Sequence, residues 1–389
     1  MAAERRLVTI GHSYVVAGNR RLAHEMAVAG RGRWIVTAIA PATYRGDLRR
    51  VALEPIANEA SRVMPVPVRL DRLPHLMWYA RLGQALDARA DVVHCWEEPY
   101  VLAAAQVARQ AKASARVVYA TFQNLSKWYP PPLSGFERAS LARAAGWIAF
   151  GRTSEETLTA RDGYARIPHR VIPPGVDVDR FKPDPGSGAA IKRQIGWSED
   201  VQVVGYLGRF AHQKGITDLC EALDGMKAPW HALFVGGGAL QPALERFRDR
   251  HRGRVHIATG VGHDDVPRWL NAMTLLCAPS RTTAAWREQF GRMLIEAMSC
   301  GIPVVATNSG EIPHAVEGAG RLVPEQDPAA LAEALDALLA DGPARAALAS
   351  AGLARARDRF AWPVVARQHL EFFDALIEQP GAAGVTSRA

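Results

Sequence analysis

No apolar run in this sequence approaches the ~18 residues that a membrane-spanning helix needs. The N-terminus, "MAAERRLVTIGHSY", passes from charges straight into a short strand-like run. It lacks the apolar stretch and cleavage site of a signal peptide. We therefore expect a cytoplasmic protein, with a peripheral contact at the inner face of a membrane left open. Cysteines are few: Cys95, Cys220, Cys277 and Cys300 lie far apart, with no CxxC and no histidine at ligand spacing. That pattern reads as reduced, mostly buried thiols and argues against a structural zinc. No short-period repeat and no low-complexity tract is present. Nor does any segment carry a dense basic cluster with interleaved aromatics, so nucleic acid is not an expected partner.

What the chain does have is enough material for two cores. Its 389 residues are 48% hydrophobic and 22% charged, ordinary values for a globular protein but too long for one domain. The net charge of +8 is unevenly placed. Residues 1–170 hold 24 Lys/Arg against 14 Asp/Glu, and the remainder holds 23 against 25. A surplus of that kind suits an anionic partner for the first half, or reflects an arginine-rich composition.

Five apolar runs in the first half read as buried parallel strands: "RRLVTI" (5–10, before Gly11), "WIVTAIA" (34–40), "DVVHCW" (91–96), "ARVVYATF" (115–122) and "GWIAFG" (146–151). Helical segments separate them, including one that stops at Gly30 and others over 76–90 and 99–113. At 171–186 the chain reads "VIPPGVDVDRFKPDPG", with four prolines and two glycines. That is a linker signature. The alternation then restarts with strands at 201–208, 231–238, 254–260, 274–280 and 302–308. The expectation is α/β: two tandem Rossmann-like, doubly wound parallel-sheet domains facing a cleft. We place the first at 1–172, a linker at 173–188 and the second at 189–362. An amphipathic helix at 363–380 returns to the first domain. The tail "PGAAGVTSRA" reads as frayed.

Ligands in open parallel sheets sit outside the carboxyl ends of the strands, so those loops carry the chemistry. "EQFGRMLIEAMSCGIP" sets Glu288 and Glu296 eight positions apart around Phe290 and Gly291. Leu, Met, Ala and Glu favour helix, Gly301 stops it and Pro303 forbids extension. The helix start offers free N–H groups to a phosphate, and Gly291 lets a ligand approach the backbone. If all helical, the spacing spans roughly 12 Å, about the separation of a ribose and a sugar across a diphosphate. The plainer reading is a Glu288 that complements the helix dipole and a solvated Glu296. "GYLGRFAHQKG" puts Arg209 just past a strand and Lys214 before Gly215, a pair suited to a diphosphate. Alone, each is an ordinary surface charge.

Together these segments resemble the retaining glycosyltransferases of family 4, which have the GT-B fold. The resemblance rests on "GRFAHQKG", "VGGGALQPALERF", "GVGHDDVPRWLNAMTLLCAPS" and "EQFGRMLIEAMSCGIPVVATNSGEIP", and covers residues 170–360 strongly. "QNLSKWYPPP" and "VIPPGVD" extend it loosely into the first half. It implies that Arg209 and Lys214 bind and stabilise the departing diphosphate, and that Glu288 touches the donor sugar. Phe290, Gly291 and Arg292 would offer backbone donors, Glu296 would hold the ribose, and Val261 would sit by the base. Gly208 and Gly18 are further donor-binding candidates. It implies no cofactor and no metal, in keeping with the lack of an Asp-x-Asp in a credible loop. The donor would be a nucleotide-diphosphate sugar, UDP- or GDP-linked. The acceptor would be a glycan, a lipid or a small molecule, in cell-envelope polysaccharide, glycolipid or small-glycoside synthesis.

Two places depart from the family. The glycine pair after the first strand is "GHSYVVAGNRR", with Gly11 and Gly18 apart. Where many members carry a histidine, this chain has Gln123 and Asn124, with Lys127 nearby, as acceptor-side candidates. His12 and His94 read as packed or capping histidines. With no evident nucleophile or base, the family implies same-face transfer in which the departing phosphate takes the acceptor proton. Inversion with Glu288 as base ranks below it. The competing readings are a sugar-nucleotide epimerase of the same architecture and a non-catalytic scaffold that kept the fold.

Overall fold

The computed structural model of the protein describes residues 4–45 and 50–378; the tail at 380–389 lies outside them. The chain divides into two units. One comprises the residues up to Phe150, Ser154–Pro173 and the chain from Trp362 onward; the other comprises Gly151–Thr153 and Pro174–Ala361.

The first unit is built on seven strands: β1 Arg5–Ile10, β2 Trp34–Pro41, β3 Arg62–Val66, β4 Val92–Cys95, β5 Arg116–Thr121, β6 Ala144–Ala149 and β7 His169–Val171. All pairings are parallel, in the order β7-β6-β5-β4-β1-β2-β3. Successive side chains of β1 feed opposite faces, as the pleat requires. Leu7 packs with Val36, Val118 and Phe373, while Val8 and Ile10 pack with Ile39, Val93 and Val117. Burial on both faces explains the near-continuous apolar runs. The closing helix Trp362–Glu378 puts Val365, Ala366, Leu370 and Phe373 into the same core as Leu7.

The second unit holds six strands: β8 Val203–Arg209, β9 His231–Gly237, β10 Val255–Ala258, β11 Leu275–Ala278, β12 Val304–Thr307 and β13 Gly320–Val323. Their order is β10-β9-β8-β11-β12-β13, again all parallel. Strand order reverses between β8 and β11 here, and between β1 and β4 in the first unit. Crevices for ligands form at such switch points.

Several local expectations need correction. Residues 76–90 do not form one helix. Trp78–Tyr79 pairs antiparallel with Val68–Arg69, and only Leu82–Ala85 is helical after a left-handed Arg81. The pull of strand pairing overrides helix propensity there. β3 carries Pro65 and lies at the sheet edge, where a missing N–H is tolerated. Nor is the proline-rich stretch all linker. Pro185 opens the helix Pro185–Gln194, and Asp184 caps it by accepting from the Ser187 N–H at 3.0 Å. Proline in a first turn starts a helix as readily as proline elsewhere ends one.

Candidate functional site

At the carboxyl end of β8 the chain makes a short turn, His212–Lys214, and starts the helix Ile216–Gly225. The loop after β11 lies against that turn: the Arg281 N–H donates to the Gln213 carbonyl at 2.9 Å, and Arg281 pairs with Asp218. This contact brings Lys214 to Glu288. The Lys214 Nζ donates to Glu288 Oε2 at 2.6 Å, and the Ser280 hydroxyl donates to the same oxygen at 2.9 Å. Glu288 is 5% exposed, so its charge is held by partners rather than by water. The Lys214 ammonium also stands over the Trp286 ring, 4.8 Å from its centroid. Ser280 and Trp286 were not singled out in the sequence. Their positions after β11 were the available signal.

Glu288 itself is not helical. The helix runs Arg292–Ser299, with Gly291 as its N-cap in the left-handed region at φ 80°. The two glutamates are therefore not joined by one helix, and the roughly 12 Å reading does not apply. Gly291 instead serves the backbone turn that lets the strand-end loop enter the helix. Phe290 turns into the core and meets Phe360 edge-on at 5.7 Å. Gly310 backs the other side of the loop. A Cβ there would lie 2.1 Å from the Glu288 carbonyl oxygen, which accepts instead from the Glu311 N–H at 3.0 Å.

Glu296 is buried, at 8% exposure, which removes the solvated reading. Burial raises its pKa above the ordinary carboxylate value, opposed by the charges of Arg292 and Arg180. The same two arginines act on His263, whose pKa falls to about 4, chiefly through burial. Arg180 pairs with Asp264 at 3.0 Å. Val261, in the loop after β10, packs against the core on this side of the sheet. Arg180 is thus a neighbour of Glu296 that the sequence did not reveal, because 116 positions separate the two.

The other candidates fall as follows. Arg209 ends β8 and is exposed, and its guanidinium has no hydrogen-bond or ion-pair partner among the described residues. Gly208 lies within the same strand. Gly18 sits in the first turn of the helix Ala17–Ala29, in the first unit. Gln123 and Asn124 are buried beyond β5. The Gln123 side chain is engaged inside the unit: its oxygen accepts from the Tyr129 hydroxyl at 3.1 Å and from Arg161 at 3.4 Å. Lys127 and Trp128 are exposed, whereas Tyr129 stacks on Tyr100 at 4.2 Å. His94 is packed, fully buried in β4. The His12 side chain is 38% exposed, and its Nδ1 lies 2.6 Å from the buried Glu97.

Two family models match. "Glycosyltransferase Family 4" covers residues 16–180 and "Glycosyl transferases group 1" covers residues 201–341. A "Lipopolysaccharide core biosynthesis mannosyltransferase LpsB" of Rhizobium meliloti is 34% identical over 62% of this chain and 72% of its own length. A "GDP-mannose-dependent alpha-(1-6)-phosphatidylinositol monomannoside mannosyltransferase" of Mycolicibacterium smegmatis is 32% identical, over 66% of this chain and 69% of its own. Several D-inositol 3-phosphate glycosyltransferases also match, but there the aligned part spans less than two-thirds of their length. Among solved structures, Anabaena Alr3699/HepE in complex with UDP has a TM-score of 0.73 at 22% identity. That match covers 95% of this chain and all of that one, a likeness of fold.

Proposed function

The chain belongs to family 4 of the glycosyltransferases, and on that premise we propose that it transfers a sugar, with retention, from a nucleotide-diphosphate sugar to an acceptor hydroxyl. The observation that carries this reading is the buried Lys214–Glu288–Ser280 cluster at the switch point of the second unit, just ahead of the helix at Arg292. Lys214 and Arg209 stabilise the diphosphate as the bond to the anomeric carbon breaks. The N–H groups at Gly291 and Arg292 add donors toward the phosphates. Glu288 accepts from hydroxyls of the donor sugar and Glu296 from the ribose, with Val261 by the base. Gln123, Asn124 and Lys127 belong to the acceptor side. Charge on the diphosphate is met by side chains, so no protein-held metal is required.

A UDP or GDP donor and a glycan or glycolipid acceptor are supported by the similar proteins, one bound to UDP, one a lipopolysaccharide core mannosyltransferase and one a GDP-mannose-dependent phosphatidylinositol monomannoside mannosyltransferase. Among the described residues no helix is long and apolar enough to cross a membrane. A lipid-linked acceptor would be reached by peripheral contact of the first unit with an anionic membrane. The test is to incubate the purified protein with UDP-glucose and with GDP-mannose, with and without EDTA, and to follow nucleoside diphosphate release and melting temperature. Stabilisation by one nucleotide and slow, EDTA-resistant release are expected. Interconversion of the sugar without release would favour an epimerase. Neither binding nor release would leave a scaffold.

A further inference from the structure

Trp286 is half-buried yet belongs to neither hydrophobic core of the second unit. Its ring lies against the Lys214 ammonium instead. The segment that carries it is braced at several points. The Arg281 guanidinium pairs with the buried Asp218, and the Thr282 N–H and hydroxyl both donate to the Glu325 carboxylate. Thr283 and Trp286 then close a tight turn. The Thr283 N–H donates to the Trp286 carbonyl at 2.7 Å, and the Trp286 N–H donates to the Thr283 hydroxyl at 3.0 Å. Residues Thr282, Thr283, Ala284 and Ala285 are all exposed, so this bracing serves no core; what it holds is the indole.

Lys214 has three N–H donors on a long, flexible stem. One donor goes to Glu288 Oε2, and the indole covers another side. The ammonium has no further hydrogen-bond or ion-pair partner among the described residues. Its side chain is 13% exposed. A carboxylate alone would tie the ammonium at one point; a carboxylate and a ring face together fix where it stands. A desolvated ammonium also gains more from an indole than an exposed one does.

We propose that Trp286 is a positioning residue for Lys214, its ring face holding the ammonium where it meets the donor's diphosphate. This rests on the transferase reading. A cation held in advance stabilises developing charge without first reorganising. Trp286 acts through Lys214 and needs no contact with the reacting atoms. The role asks for a ring face rather than for apolar volume. Phenylalanine should therefore serve in part, and leucine should not.

Two measurements on the full chain test this. The first needs no ligand. In 1H–13C spectra the Lys214 ε-methylene signal, identified through Lys214→Ala, should be shifted upfield by the indole ring current. The shift should shrink in Trp286→Phe and vanish in Trp286→Leu. An unshifted signal in the wild type overturns the proposal. The second is calorimetric titration with UDP and UMP, and with GDP and GMP. Lys214 acts on the diphosphate, so the preference for diphosphate over monophosphate should fall about tenfold in Trp286→Leu and be largely kept in Trp286→Phe. A loosened fold would weaken both ligands alike, and the melting temperature reports it separately. In the Lys214→Ala background, Trp286→Leu should change the preference no further, as for residues that act as a unit. An undiminished preference in Trp286→Leu, an equal loss in Trp286→Phe, or full additivity with Lys214→Ala overturns the positioning role while the donor reading stands. Wild-type protein that binds neither UDP nor GDP overturns the donor reading, and with it any role for Trp286 in holding the lysine for a diphosphate.

Discussion

At the scale of single residues, the two glutamates of the second unit separate by their partners. Glu288 is tied to Lys214 and Ser280, on the side of the cluster expected to meet the reacting sugar. Glu296 lies a turn into the helix, under Arg292 and Arg180. Glu288→Ala is therefore expected to cut turnover while leaving nucleoside diphosphate binding within a few-fold. Glu296→Ala is expected to weaken that binding by about 1.5–3 kcal/mol, the cost of a lost hydrogen bond to a charged group, or roughly tenfold or more in Kd. Calorimetric titration with UDP and GDP decides; unchanged affinity in Glu296→Ala removes the ribose assignment. Lys214 and Arg209 offer a second comparison. Each alanine variant should lose on the order of 10²-fold in turnover, as for other lost transition-state donors. Lys214→Ala should also lower the melting temperature, because it leaves the buried Glu288 carboxylate short of a counter-charge. Arg209→Ala should not, since that side chain is exposed. Near-normal turnover in both would reduce the pair to surface charges.

At the scale of elements, the loops are held by close backbone approach as much as by side chains. Gly310 has φ 54°, and a Cβ there would meet the Glu288 carbonyl carbon and oxygen at 2.9 and 2.1 Å. Backbone must move to admit it, so Gly310→Ala should displace Glu288 and lose activity in excess of its effect on melting temperature. A variant with full turnover would show that the loop adapts. The closing helix carries a different liability. His369 faces His94 across 5.3 Å, both are fully buried, and neither Nε2 has a hydrogen-bond partner among the described residues. Burial lowers the pKa of His369 to about 4 and that of His94 well below its ordinary value. A histidine depressed in the folded state is protonated first in the unfolded chain. Stability should then fall as pH drops from about 6.5 toward 4, by on the order of 3 kcal/mol from His369 alone at the lower end. His369→Leu should flatten that loss in urea unfolding across this range; an unchanged slope would place the acid sensitivity elsewhere. How much of this was legible in the sequence follows from the kind of signal. Apolar runs bounded by turns gave ten of the strands, and strand-end charges gave Lys214 and Glu288. What stayed hidden were the edge strands β3, β7 and β13, the helix opened by Asp184 and Pro185, and pairings between distant loops. Glu97 meets His12 only because β4 inserts beside β1, a topological fact with no local trace.

For the whole molecule, the uneven charge and the uneven distribution of exposed apolar side chains concern the same half of the chain. Residues 1–170 carry 24 Lys/Arg against 14 Asp/Glu, while the rest is nearly balanced. Within that half Leu70, Leu73 and Trp78 are 54%, 51% and 43% exposed, and Trp128 is 81% exposed. Arg69, Arg72 and Arg81 are exposed among the first three, and Arg69 is the strand partner of Trp78. In the loop beyond β5, Trp128 faces solvent beside Lys127, whereas Tyr129 stacks on Tyr100. Single exposed apolar residues need no explanation. Three within nine positions, interleaved with arginines, are the composition that suits the boundary of an anionic bilayer. Each basic residue near such a surface adds about 1 kcal/mol, screened within ~8 Å at physiological salt. Co-sedimentation should therefore show binding to phosphatidylglycerol-containing vesicles, little binding to phosphatidylcholine alone, and release on raising the salt. Joint substitution of Leu70, Leu73 and Trp78 by serine should weaken binding more than Trp128→Ser, because it removes the apolar part of a surface that the arginines also serve. The melting temperature of the triple variant guards against a folding defect. Equal and negligible sedimentation with both vesicle types at low salt would leave these side chains as ordinary surface and favour a soluble acceptor.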